Sequence, residues 1–321
     1  MMLNCRLLAL GAAMLCASTT GWSADRFPAA PVRIVVSTPP GGASDTSARV
    51  LAEGLQSLWK QSVVVENKTG ASGTIGAAFV ARAPADGYTL FFGTGSTHVV
   101  APLMLAETPY DPERDFTPLA VVGYAPFVLF ARADLPANNL QELVAYAQTQ
   151  KAELNFGTSG PATIYEIAAL LLEREGRVRL NHIPYKGLAP MAMDVAAGRV
   201  DLGVGPIDGY LKNEKLKVLA VLGNERAATL PGVPTSAEAG YPGFAVPVWA
   251  AIWGPPGLPA PVAARLTEGL LTTLGQPSVQ NRIAATGVFV QAGDGQALRA
   301  LVSRDLTALR PFGVPESRAA R

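Results

Sequence analysis

The feature that most limits the fold is a repeated unit in which a short apolar run halts in a polar glycine turn and then becomes a helical pattern. Residues 32–36 end in Ser37-Thr38-Pro39-Pro40-Gly41-Gly42-Ala43-Ser44-Asp45, and a helix-like stretch follows to Lys60. Such a turn leaves unpaired backbone N–H groups facing a cleft, with the positive end of the helix dipole behind them. That setting suits an anionic or strongly polar ligand. A glycine turn also serves where the backbone only needs φ > 0, so this unit alone does not decide between the two uses.

The first segment stands apart from the fold. Arg6 supplies a positive start, residues 7–17 an apolar stretch, and Gly21-Trp22-Ser23-Ala24 a small-residue cleavage site, so 1–23 is expected to be a cleaved secretory signal. Cys5 and Cys16, the two cysteines of the chain, both fall within it. The mature chain then has no thiol for a disulfide, a nucleophile or a metal. With Arg6 set aside, 25 basic residues balance 25 acidic ones. A balanced chain has no bulk electrostatic reason to bind nucleic acid or an anionic membrane.

Strands are expected at 33–36, 62–66, 89–92, 127–131, 154–156, 181–183, 202–204 and 218–222. Helices are expected at 45–60, 75–82, 140–150, 163–174 and 190–197, and again at 260–274 and 294–310. Apolar runs without strict alternation, each followed by a helix, indicate an α/β fold with mainly parallel sheets flanked by helices. Ligands of such sheets sit beyond the carboxyl ends of the strands. Two long apolar stretches, 119–131 and 244–256, bracket a block of about one domain in size. The expected division is 24–123 plus 245–321 as one domain and 124–244 as the other, with two hinge strands and the ligand between. One larger sheet with two long buried strands is the other arrangement the pattern allows.

Several further turns repeat the opening unit. Gly70-Ala71-Ser72-Gly73-Thr74-Ile75-Gly76 has G-x-x-G-x-x-G spacing, not the G-x-G-x-x-G of a dinucleotide loop, and no cofactor is expected. Gly93-Thr94-Gly95-Ser96-Thr97-His98 and Gly157-Thr158-Ser159-Gly160 each follow a strand and offer hydroxyls and N–H groups. Thr163 and Glu166 have the spacing of a capping box, which gives both a structural task. His98 is either a ligand contact or a histidine satisfied by backbone. His98 and His182 are the chain's two histidines, no G-x-S-x-G is present, and no feature marks an acid to orient either of them. An exported serine-type hydrolase is therefore the weaker reading, and no metal site is expected.

Taken together these motifs resemble the Bug-type, TctC-like solute receptors of tripartite tricarboxylate transporters. The resemblance is carried by Pro40-Gly41-Gly42-Ala43-Ser44-Asp45, Val64-Val65-Glu66-Asn67 through Gly76, Ala85-Asp86-Gly87-Tyr88, Pro109-Tyr110-Asp111-Pro112, His182 through Gly187, and Leu230-Pro231-Gly232-Val233-Pro234-Thr235. It implies a two-domain periplasmic binding fold of type II that closes on a small organic acid. Its partners would be membrane permease subunits, or a sensor kinase in a signalling role, with the receptor itself a monomer. The site residues expected in the first domain are Thr38, Pro40, Gly41, Gly42, Ala43, Ser44 and Asp45, with Ser96 and His98. In the second they are Thr158, Ser159, Gly160, Thr163, Tyr185, Lys186 and Gly205. The Pro40–Asp45 and Gly157–Gly160 turns are expected to bind carboxylate oxygens from opposite domains. Lys186 is either a cleft residue or a solvated surface lysine. Ser37 and Thr38 replace the family's usual proline and aromatic residue, so an aromatic wall is expected to be missing there. Glu166 stands where histidine is frequent, and Gly205 where an acid is more usual.

Overall fold

A computed structural model describes residues 27–158, 160, 162–206, 213–223, 226–227 and 229–313. The expected signal segment and Ser159 lie outside the described residues. Among the described residues eleven strands run in chain order β1 (Val32–Val36), β2 (Val63–Asn67), β3 (Thr89–Thr94), β4 (Thr117–Tyr124), β5 (Phe127–Arg132), β6 (Leu154–Thr158), β7 (Leu180–Pro184), β8 (Leu202–Pro206), β9 (Leu216–Val221), β10 (Trp249–Gly254) and β11 (Phe289–Asp294). The helices are α1 (Ala43–Trp59), α2 (Thr74–Ala81), α3 (Ala101–Met104), α4 (Leu140–Thr149), α5 (Ile164–Gly176), α6 (Leu188–Ala196), α7 (Ala260–Leu274), α8 (Pro277–Ala284) and α9 (Gly295–Leu309).

The strands form two sheets, ordered β11-β4-β10-β3-β1-β2 and β7-β6-β8-β5-β9. Each contains a parallel trio, β2-β1-β3 or β7-β6-β8, next to a strand that runs the other way. That reversed strand is β10 in the first sheet and β5 in the second, and it is followed by β4 or β9. The sheets are therefore mixed and not mainly parallel as the pattern suggested. The cause is the double passage of the chain between them. The 119–131 stretch breaks at Ala125-Pro126, so β4 joins the first sheet while β5 enters the second, and β10 and β11 later return to the first. Every residue of β10 is buried, so its sequence is uniformly apolar and carries no sign of direction.

Side-chain alternation places the core. Ile34 and Val36 pack with Leu51, Leu55, Leu266 and Leu270 under α1 and α7. Val35 and Phe91 point the other way, into a cluster that runs on through Trp249 and Trp253 to Leu129, Phe156 and Leu171 of the second sheet. In α1 the buried Ala48, Leu51, Ala52 and Leu55 follow i, i+3, i+4, i+7, the stripe a helix needs to cover a sheet. Each such large side chain contributes about 1.5–3 kcal/mol on burial. No helix among the described residues is long and apolar enough to cross a membrane.

Candidate functional site

The turns after β1, β2 and β3 meet at the carboxyl end of the first sheet. Gly73 is the meeting point: a Cβ there would stand 2.6 Å from Thr97 Cγ2 and 2.9 Å from Ser37 Oγ. Gly95 is equally constrained, since its Cβ would lie 2.9 Å from the Pro247 carbonyl carbon of the returning chain. Each following helix or turn begins from glycine with no side-chain cap: Gly42 before α1, Gly73 before α2, and Gly95 before the π-helical turn Ser96–Val100. At α2 a 3-10 turn, Ala71–Gly73, already takes two such groups, Gly73 N donating to Gly70 O and Thr74 N to Ala71 O. Uncapped N–H groups at a start like that of α1 suit a ligand, with the helix dipole favouring negative charge.

A cleft of about 540 Å³ opens over these turns. Its first wall carries Thr38, Ala43 and Ser44 from the β1 turn, Ser72 and Gly73 from the β2 turn, and Ser96 from the β3 turn. The Thr38 hydroxyl oxygen is buried with no hydrogen-bond partner among the described residues. Among the described residues, the opposite wall is Phe127 of β5, Ile164 and Tyr165 of α5, and Pro206 of β8. The two chain passages supply the floor, including Ala125, Val248 and Trp249. Phe127 and Tyr165 pack with ring centroids 5.5 Å apart, inclined at 60°. Two aromatic rings thus line the cleft across from Ser37 and Thr38.

Two expected contacts stand behind the first wall and not on it. The Asp45 carboxylate accepts from Gly41 N at 2.9 Å, Arg49 Nε at 3.0 Å and Nη2 at 2.9 Å, and Asn67 Nδ2 at 2.8 Å. Burial alone would raise its pKa, but these donors outweigh burial and hold it at about 2. Asp45 therefore ties the glycine turn to the end of β2 and is absent from the cleft lining. His98 is fully buried and stacked on Trp253, with centroids 3.7 Å apart at 11°. Its Nδ1 lies 3.1 Å from Thr97 Oγ1, and burial lowers its pKa to about 3, keeping the ring neutral. Tyr110 OH donates to Thr97 O at 2.6 Å, so the Ser96 turn is braced from beneath.

The second domain's expected contacts go mostly elsewhere. Thr158 is buried; its carbonyl accepts from Tyr185 N at 2.7 Å and its hydroxyl from Gly160 N at 3.4 Å. Thr163 caps α5 by accepting from Glu166 N, as the capping-box spacing implies, while Glu166 Oε2 accepts at 2.7 Å from Ala162 N, one residue before the N–H that spacing calls for. Tyr185 OH donates to Asp194 at 2.7 Å, and Lys186 is exposed. A Cβ on Gly205 would meet Leu188 Cδ1 at 2.7 Å, so glycine there lets α6 pack against β8. The structure thus gathers Thr38, Ala43, Ser44 and Ser96 on the cleft surface, with Pro40, Gly41 and Gly42 shaping the same turn. Thr158, Gly160, Thr163, Tyr185, Lys186 and Gly205 are not among its lining residues. Phe127, Ile164, Tyr165, Pro206 and Trp249 were missed because apolar residues on strands and helices look like ordinary core.

Among the described residues, no group of three or more His, Cys, Asp or Glu is placed to hold a metal. His182 Nε2 faces Glu173 at 3.6 Å, away from the cleft-lining residues.

Two sheets of matching strand order, joined by two chain passages with a cleft between them, define the class: a two-domain periplasmic binding protein of type II. Residues 47–311 match TctC, the tripartite tricarboxylate transporter family receptor, and the chain belongs to that family. BugT of Bordetella pertussis is 34% identical over 269 residues, 83% of this chain and 82% of BugT. MatC from Rhodopseudomonas palustris, solved with bound malate, is 32% identical with a TM-score of 0.75, covering 89% of this chain and 99% of MatC. R. palustris Rpa4515, solved with adipate, is 31% identical with a TM-score of 0.77, over 92% of this chain and 98% of its own. A solute-binding receptor, not an enzyme, is what this family comprises.

Proposed function

We propose that the protein is a periplasmic receptor that binds a small organic acid in this cleft and delivers it to membrane permease subunits of the tripartite tricarboxylate type. The observation that carries the reading is the convergence of three glycine turns, with the uncapped start of α1 among them, on one cleft rich in hydroxyls. Backbone N–H groups and hydroxyls bind a carboxylate well when several act together, since each hydrogen bond to a charged oxygen contributes about 1.5–3 kcal/mol. The relatives solved with malate and adipate support an acid as solute. The moving bodies are 24–123 with 245–321 and 124–244, turning about the passages near Ala125 and Val248. Residues 1–23 act as the export signal.

The test is thermal unfolding of the refolded protein against small mono-, di- and tricarboxylates and their amides. Saturable stabilisation by an acid, absent with its amide and without turnover, is the expected result. Equal stabilisation by acid and amide would overturn the carboxylate assignment.

A further inference from the structure

Helices α1 and α5 follow β1 and β6, the middle strands of the two parallel trios, so they occupy equivalent places in the two sheets. Their first turns correspond residue for residue. Asp45 and Glu166 are each the third helical residue, and each accepts from the backbone N–H just before the cap, Gly41 or Ala162. The two positions that face the cleft differ sharply: Ala43 and Ser44 in α1, Ile164 and Tyr165 in α5. Small side chains let a ligand oxygen approach the α1 N–H groups. Ile164 and Tyr165 instead put bulk and an aromatic face at the same place, and Phe127 and Pro206 extend that apolar surface.

We infer that the solute is an amphipathic monocarboxylate. Its single carboxylate is taken by the first wall, at the α1 N-terminus with Thr38, Ser44 and Ser96. Its apolar, preferably aromatic, body lies against Phe127, Ile164, Tyr165 and Pro206. This rests on the receptor reading above and narrows it. Among the described residues the far wall offers a second carboxylate mainly apolar side chains, Phe127, Ile164 and Pro206 with the ring of Tyr165, and desolvation against them is unfavourable. A ring placed there gains from apolar burial and from offset or edge contact with Tyr165 and Phe127. The cleft volume of about 540 Å³ is that of an ordinary small-molecule pocket and leaves room for a ring beyond the carboxylate.

Titration calorimetry of the refolded protein with benzoate, phenylacetate, benzamide, malate, adipate and citrate tests this. Benzoate or phenylacetate should bind about tenfold or more tightly than any of the three polyacids. Benzamide should bind about tenfold or more weakly than benzoate, because it lacks the charge. Tyr165→Ser should narrow the benzoate-to-malate ratio about fivefold. A polyacid that binds as tightly as the aromatic acids overturns the inference and leaves the receptor reading standing. Benzamide as tight as benzoate removes the carboxylate pole, and no binding by any acid removes both readings.

Discussion

Helices α1 and α5 enter the cleft from equivalent strands, yet α1 starts at Gly42 with no side-chain cap while α5 starts at Thr163, which accepts from Glu166 N. Both helices keep a carboxylate that accepts from the N–H just before the cap, Asp45 from Gly41 N and Glu166 from Ala162 N. The difference is confined to the cap residue and the next two side chains. It converts one helix start into an open array of N–H groups and the other into a closed, apolar buttress. The lesson is that strand order places a helix end at a cleft, but three residues decide whether it binds or only packs.

The most severe way to break this contrast is to give α1 a cap. Gly42 has φ −75° and ψ 165°, and a Cβ there would meet only Pro39 O at 3.5 Å, so Gly42→Asp fits without strain. It should leave stability unchanged or slightly raised, while carboxylate affinity falls about a hundredfold through occupied N–H groups and charge repulsion. Calorimetry beside thermal unfolding separates the two effects. Asp45→Asn attacks the scaffold instead. Losing the charged acceptor of Arg49, Asn67 and Gly41 N should cost about 2 kcal/mol by denaturant unfolding. Thr163→Ala removes the cap of α5 and should cost about 1 kcal/mol with affinity within about threefold of the parent. A large affinity loss in Thr163→Ala would show that the two walls share the binding task.

The smallest effect is a pH slope that sharpens how the first wall is held. His98 has its pKa lowered from 6.5 to about 3 in the fold, so the unfolded chain takes up the proton first. Stability is therefore complete above pH 6.5 and is lost as pH falls from there toward 3. Asp45, lowered from 3.8 to about 2, adds stability that is present above pH 3.8 and lost below it. Unfolding midpoints measured from pH 7 to pH 4 should decline, and His98→Phe should flatten that decline. An identical slope in the variant would take His98 out of the account.

Local signals were legible where one segment carries them whole. The expected helix 260–274 is α7 (Ala260–Leu274), and the Thr163–Glu166 cap forms as its spacing implies. The Pro40–Asp45 turn was legible as a candidate site because its glycines interrupt a strand–helix pattern. Strand direction in β5 and β10 was not legible, because strands buried on both faces show no alternation. β11 was missed for the opposite reason: it is largely exposed, with no apolar periodicity to mark it. The role of Asp45 depends on Asn67, 22 residues along the chain, a pairing no local pattern contains. The second wall was illegible for the same reason, since Phe127, Tyr165 and Pro206 come together only when three separated segments meet.

Amide NMR of the 15N-labelled protein during titration with benzoate tests the division between the walls most directly. Saturable shifts at the N–H groups of Ala43, Ser44 and Ser96, well beyond any at Glu166 and Ile167, are expected. Larger shifts at the start of α5 than at the start of α1 would contradict it.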